Sequence, residues 1–278
     1  FLTQRIPDAC QGRRLSGRAV WLVDDREALD LSCRKADVYL PHCMSAFVGA
    51  DITTAILGSG LTETDRIPGA DGSRKEAAAA IDRNVSCGEM DGVSAARSGR
   101  SRLMVDVGTN GEIVLFHKER LICCATAAGP AFEGGRISCG IGSVDGAVCG
   151  VDLKTGTLKT IADKPPVGLC GTGIIELVSE LLDEKIIDKT GLLNDDYFIN
   201  GYKVAEDVVF TQNDIRQVQM AKSAVRAGID VLAKSWGTEL SQIDMVYLAG
   251  GFGYGLSIEK ACNIGTLPRE FWVRRSYR

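Results

Sequence analysis

Residues 102–278 predict an α/β or α+β domain, and three observations carry that prediction. Three β-candidates crowd around an Asn-Gly turn, two helical stripes follow, and an apolar strand then runs into paired glycines before a further short helix. The 278 residues leave room for one large domain or two ordinary ones of about 150 residues each. A folded chain of this length hides roughly three quarters of its unfolded surface, so neither a disulfide nor a metal is needed to hold it together.

In chain order, residues 18–23 (Arg-Ala-Val-Trp-Leu-Val) read as a short strand. Past a turn-rich region at Pro41, residues 47–57 read as a helix whose small residues let another backbone lie close against it. Residues 59–101 change character, with Gly, Ser, Asp, Arg and Ala dominating and only residues 74–81 helical in pattern. So long and polar a connection reads as an exposed insertion or linker, and it marks the main boundary. The expected units are therefore 1–58, 59–101 and 102–278.

Beyond the boundary, residues 103–107, 112–117 and 120–126 are the β-candidates, and Gly108-Thr109-Asn110-Gly111 joins the first two. Asn-Gly is the strongest short hairpin signal. A second hairpin is expected over 147–161, turning at Lys154-Thr155-Gly156. A helix follows from Thr172, with Ile174, Leu177, Val178, Leu181 and Leu182 on one face. A longer helix begins after Thr211 or Asn213, either of which can cap it, and Ile215, Val218, Val225, Ile229 and Leu232 form its stripe. Residues 243–249 read as a buried strand entering Gly250-Gly251-Phe252-Gly253, and another short helix starts at Ser257.

Composition removes several function classes. Lys and Arg total 32 against 36 Asp and Glu, a net charge of −4, so no general basic field exists to hold nucleic acid or an anionic membrane. No apolar run approaches the roughly 18 residues a spanning helix needs. The ten cysteines form no CxxC pair, and without a secretory segment they read as small core hydrophobes in a reducing, cytoplasmic compartment. In the vicinal pair Cys123-Cys124, alternate strand residues face opposite sides, which favours packing over redox chemistry. His42 and His117, the only histidines, lie far apart and do not suggest a metal site. The chain opens with Phe1 rather than Met and closes on a basic tail with Arg274, Arg275 and Arg278, so both ends read as cut.

Two segments carry chemistry. In Leu103-Met-Val-Asp106-Val-Gly108-Thr109-Asn110-Gly111-Glu112, a strand delivers one carboxylate just before a tight glycine turn. Such a turn exposes backbone N–H groups that bind phosphate oxygens, and the Thr109 hydroxyl adds a donor. A carboxylate beside phosphates repels them unless a divalent cation lies between, which makes Asp106 a Mg²⁺ ligand through water. A plain Asn-Gly hairpin is the alternative. In Val246-Tyr-Leu-Ala-Gly250-Gly251-Phe252-Gly253, a strand ending in paired glycines lets a flat ring lie on the backbone at the strand's carboxyl end. A simple strand-to-helix turn needing positive φ is the alternative here.

The order of these segments resembles the second half of the sugar kinase, heat-shock chaperone and actin superfamily of ATPases. There two ribonuclease-H-like domains close on ATP, with such a hairpin as second phosphate loop and such a glycine pair as adenosine loop. More sharply, several blocks are similar to reductive activators of corrinoid proteins: Phe47-Val-Gly-Ala-Asp51, Asp106-Val-Gly-Thr-Asn-Gly-Glu112, Thr126-Ala-Ala-Gly-Pro-Ala-Phe-Glu-Gly134, Gly168-Leu-Cys-Gly-Thr-Gly173, Asp214-Ile-Arg-Gln-Val-Gln-Met-Ala-Lys222, Leu248-Ala-Gly-Gly-Phe-Gly253 and Ile264-Gly-Thr-Leu-Pro268. They recur in the family's order over 38–58 and 103–271.

The resemblance implies a ribonuclease-H-like (actin-like ATPase) domain, a mixed sheet flanked by helices, preceded by the tail end of a first domain whose last helix links the two. It implies ATP and Mg²⁺ as cofactors, held by Asp106, Gly108, Thr109, Asn110, Gly111, Glu112, Gly250, Gly251, Phe252 and Gly253. Glu133 would reach ribose or adenine, or else cap a helix, and Asp51 would face the nucleotide or solvent. The activity implied is ATP-driven reduction of Co(II) to Co(I) in corrinoid proteins of methyltransferase systems, fed by an electron donor. A homodimer is an open option. The iron–sulfur cluster belongs to the parent protein, because the family's ferredoxin module and first phosphate loop are missing here. The stretch between Thr62 and Arg102 is also longer than the family's. A small-molecule kinase of the same architecture and a non-hydrolysing nucleotide-dependent scaffold are the competing readings.

Overall fold

The computed structural model describes residues 101–117 and 120–273, together with Val20, Trp21, Val38, Tyr39, Ile52, Ala55, Ile56, Ser59 and Leu61. Val20–Trp21 (β1) pairs antiparallel with Val38–Tyr39 (β2), which places two residues of the expected 18–23 strand. Ile52, Ala55, Ile56 and Ser59 are helical, within and just beyond the expected 47–57 helix. The expected helix over 74–81 and the residues Asp51, His42, Arg274, Arg275 and Arg278 lie outside the described residues.

A four-stranded mixed sheet organises the rest. Ser101–Val107 (β3), Gly111–His117 (β4) and Arg120–Thr126 (β5) run antiparallel in sequence order. A three-stranded sheet follows, in which Ala147–Asp152 (β6) pairs antiparallel with Thr157–Thr160 (β7) and parallel with Gly168–Leu169 (β8). Helix α1 (Gly171–Asp183) comes next, then a one-turn helix α2 (Asp195–Phe198) and a small hairpin of Tyr202–Ala205 (β9) and Val208–Phe210 (β10). The long helix α3 (Gln212–Trp236) leads to Ile243–Ala249 (β11), which returns to the main sheet parallel to β3, giving the order β11-β3-β4-β5. The short helices α4 (Gly250–Gly255), α5 (Ile258–Asn263) and α6 (Arg269–Val273) finish the described chain.

The two faces of the main sheet are separated by the period-2 alternation of its strands. Leu103, Val105, Val107, Ile113 and Leu115 enter the larger core, which the stripes of α1 and α3 cover. Met104, Val114, Phe116 and Tyr247 enter a second core with Ile52, Ile56 and Leu61. The buried guanidinium of Arg102 donates to the Leu61 carbonyl at 2.9 Å and ties that segment to the sheet. Cys123 and Cys124 obey the same alternation, Cys123 packing on the smaller core and Cys124 on the larger.

Helix α3 starts as its sequence demands. Thr211 is its N-cap in a capping box with Asp214, and Asn213 lies within the first turn. Ile215, Val218, Val225, Ile229 and Leu232 are all buried. Helix α1 packs so tightly at its start that a Cβ on Gly171 would stand 1.8 Å from the Phe132 carbonyl oxygen. Among the described residues no helix is long and apolar enough to cross a membrane.

Candidate functional site

The parallel register sets the site. Val105 pairs with Leu248 and Asp106 with Ala249, so β3 and β11 end at the same level and release their chains side by side. The turn after Val107 and the glycine pair after Ala249 thus share one edge of the sheet, at the carboxyl ends of two parallel strands. Gly250 has φ 77°, and a Cβ there would lie 2.7 Å from Asp106 Oδ1. Gly251 has no such constraint: a Cβ there would meet no atom within 4 Å.

Asp106 is half-buried, and Glu112 sits directly opposite it on β4. The turn itself differs from the Asn-Gly expectation. Val107 pairs with Gly111, so the loop is Gly108-Thr109-Asn110, and Gly111 is the first residue of β4 without a positive φ. Close approach requires this glycine instead: a Cβ on Gly111 would lie 2.6 Å from Thr126 Oγ1 and 3.3 Å from Val225 Cγ2. The Gly108 amide donates to the Asn110 carbonyl at 2.9 Å. The amides of Thr109 and Asn110 have no partner among the described residues, and both residues are exposed.

The Thr109 hydroxyl, expected as a phosphate donor, has a partner within the protein. It donates to Glu133 Oε2 at 2.5 Å, while the Gly129 amide donates to the Thr109 carbonyl at 2.8 Å. Glu133 therefore stands over the turn, as the last residue of a 3₁₀ helix, Pro130–Glu133, whose positive end it does not cap. Phe132, just before it, is buried and stacks on Phe252 with ring centroids 5.5 Å apart and planes 24° apart. Phe252, expected against the nucleotide, braces the glycine segment against the 130–133 turn and the start of α1. Gly253 fits close under β11, where a Cβ would come within 3.0 Å of the Leu248 carbonyl.

Sequence reasoning left two contributors out of the site. The start of α1 joins it, since a Cβ on Gly255 would touch Thr172 Cγ2 at 3.3 Å and one on Gly171 would meet Phe252 at 3.1 Å. Asp214, fully buried, accepts from the amide and hydroxyl of Ser138 at 2.7 and 2.5 Å and from the amide and hydroxyl of Thr211 at 2.8 and 2.7 Å. It thereby anchors the segment that follows Glu133 to the long helix. The Thr-x-x-Asp spacing of a capping box was the available signal, although the Ser138 contact is long-range.

The donor set fits a phosphate-bearing ligand with a cation: unpaired amides at the turn, a half-buried carboxylate beside a glycine, and an open Cα at Gly251. It does not fit an iron–sulfur cluster. Among the described residues no three His, Cys, Asp or Glu side chains converge to hold a metal, and His117 is engaged by Ser101 Oγ at 2.6 Å.

Comparison with known proteins identifies the family and the fold. A family model described as the C-terminal domain of RACo, the ASKHA domain, matches residues 100–275. The corrinoid activation enzyme RamQ of Eubacterium limosum is 32% identical over 62% of this chain and 34% of its own length. The [Co(II) methylated amine-specific corrinoid protein] reductase of Methanosarcina barkeri is 28% identical over 60% of this chain and 34% of its own. A solved structure of a reductive activator for corrinoid, iron-sulfur protein superposes with a TM-score of 0.69 and 29% identity over 91% of this chain and 38% of that one. The chain spans about a third of the length of the curated relatives it matches. A mixed sheet flanked by helices, the actin-like ATPase fold, is therefore what the sequence folds into, and the chain belongs to the family of the RACo C-terminal ASKHA domain.

Proposed function

We propose that this chain supplies one wall of an ATP site in a protein that reduces the Co(II) corrinoid of a methyltransferase partner to Co(I). One observation carries the reading: the Asp106–Ala249 pairing brings the phosphate-type turn and the glycine pair to one edge, with Asp106 against Gly250. Thr109 and Asn110 would hold phosphates through their backbone amides, with Gly108 and Gly111 shaping the turn around them. Asp106 would hold Mg²⁺ through water, with Glu112 behind it. Gly250, Gly251 and Gly253 would give adenosine its flat seat, Phe252 keeping them in place.

Residues 102–278 would form the second ATPase lobe, 1–58 the end of the first with its linking helix and Asp51, and 59–101 an insertion. The iron–sulfur cluster and the electron donor would act from outside this chain, in the cytoplasm. ATP binding supplies the free energy by favouring one conformation of activator with its partner over another. Phosphate release by the full-length parent protein tests the proposal, with and without a Co(II) corrinoid protein. The reading requires stimulation by that protein. Stimulation by a sugar, or no release under either condition, would contradict it.

A further inference from the structure

Glu133 was expected at the ribose, the adenine or a helix end, and the structure puts it at the phosphate turn. Its Oε2 accepts a hydrogen bond from the Thr109 hydroxyl, and its Oε1 has no hydrogen-bond partner among the described residues. Oε1 is also the atom nearest to where a Cβ on Gly108 would stand, at 3.4 Å, so the carboxylate lies over the first glycine of the turn.

The backbone beneath it cannot swing away. Pro130 opens the 3₁₀ helix, buried Phe132 is locked on Phe252, and Gly134 closes it at φ 83° with Ile141 backbone so near that a Cβ would stand 2.5 Å from its carbonyl oxygen. Four residues past Gly134, Ser138 is held by buried Asp214. An exposed carboxylate with one open oxygen, held rigidly beside a phosphate turn, is the arrangement that general-base chemistry requires. Asp106, half-buried against Gly250, is already engaged with the cation in the reading above.

We propose that Glu133 accepts the proton of the water that attacks the terminal phosphate of bound ATP. This rests on the nucleotide reading of the site. The water oxygen bonds to the γ-phosphorus while the bond from that phosphorus to the β–γ bridging oxygen breaks. ADP leaves with the electron pair, inorganic phosphate forms, and the water's proton passes to Glu133 Oε1 and then to solvent. Thr109 is the positioning residue that fixes the carboxylate's rotation through Oε2.

Glu133→Gln keeps the shape and the Thr109 contact and removes the base. Single-turnover hydrolysis by the purified protein should fall about 100-fold or more. Affinity for a fluorescent ATP analogue, the Mg²⁺ concentration needed for binding and the melting temperature should stay close to wild type. Glu133→Asp should recover part of the rate. Unchanged hydrolysis overturns the inference. So does a loss of roughly tenfold or more in nucleotide affinity, which marks a ribose or adenine contact, or a similar rise in the Mg²⁺ requirement, which marks a metal ligand. If the wild-type protein neither binds nor hydrolyses ATP, the nucleotide reading itself fails and takes this inference with it.

Discussion

Gly250 and Gly251 are neighbours of the same type with different reasons to be glycine. Gly250 is required by the fold, because its φ is 77° and a side chain would collide with Asp106. Gly251 has an ordinary backbone and open space where a Cβ would go. Packing therefore does not explain the absence of a side chain; the proposed adenosine seat would. Gly251→Val should leave the melting temperature close to wild type and weaken binding of a fluorescent ATP analogue by about tenfold or more, roughly 1.4 kcal/mol. Unchanged affinity in a well-folded variant removes the adenosine seat from this position. At this scale the placing of Asp106 near the end of a strand, just before a glycine turn, was legible from the sequence. The Thr109–Glu133 contact was not, because it joins residues 24 apart through a 3₁₀ turn that has no sequence period.

Among the elements, Glu180 and Lys260 clamp α5 to α1, and Glu180 also accepts from the Leu153 amide at 3.0 Å. Burial pushes the Glu180 carboxyl up, yet the Lys260 bond, the Leu153 amide and the Lys260 charge outweigh it and leave it below the ordinary range. Burial likewise pulls Lys260 down, and Glu180 leaves it above. A lowered carboxyl contributes stability above its unfolded pKa and loses it as pH falls through the lowered value. A raised ammonium contributes below its ordinary pKa and loses it as pH rises through the raised value. The clamp is therefore fully effective from about pH 5 to about pH 10. Lys260→Met should cost about 2 kcal/mol at pH 7, discounted from the 3–5 of a fully buried pair because both side chains keep some exposure. That cost should shrink as pH falls below the ordinary glutamate range and through the lowered Glu180 value. A loss that stays equal across the whole acid range would show that Lys260 stabilises α5 by packing instead. Elements with a clear period were legible: the expected strands 120–126 and 243–249 match β5 and β11 end to end. The β9–β10 hairpin, of four and three residues, is too short to show alternation. Helix α4, Gly-Gly-Phe-Gly-Tyr-Gly, forms against its own propensity because β11, Phe132 and α1 hold it.

For the whole molecule, packing against the larger core accounts for Cys124, Cys139 and Cys262 among the described residues. Burial pushes the Cys124 thiol up to about 11 and Cys262 to about 11, and burial with the Asp214 charge pushes Cys139 up to about 12. In the native protein these three should alkylate with iodoacetamide at pH 8 about 100-fold more slowly than a free thiol, and normally once unfolded. Peptide mapping of the labelled sites reads this directly, and fast native labelling of Cys124 would contradict the packing. What no local pattern disclosed is that β11 returns, more than a hundred residues later, to pair parallel with β3. That pairing makes one site of two glycine segments, and it is the centre of the account. Calorimetric titration of ATP into wild-type protein and Asp106→Asn, each with and without Mg²⁺, tests it most directly. The account predicts Mg²⁺-dependent binding in the wild type and loss of that dependence, by about tenfold or more in affinity, in a variant that melts normally. Full Mg²⁺-dependent affinity in Asp106→Asn would contradict it.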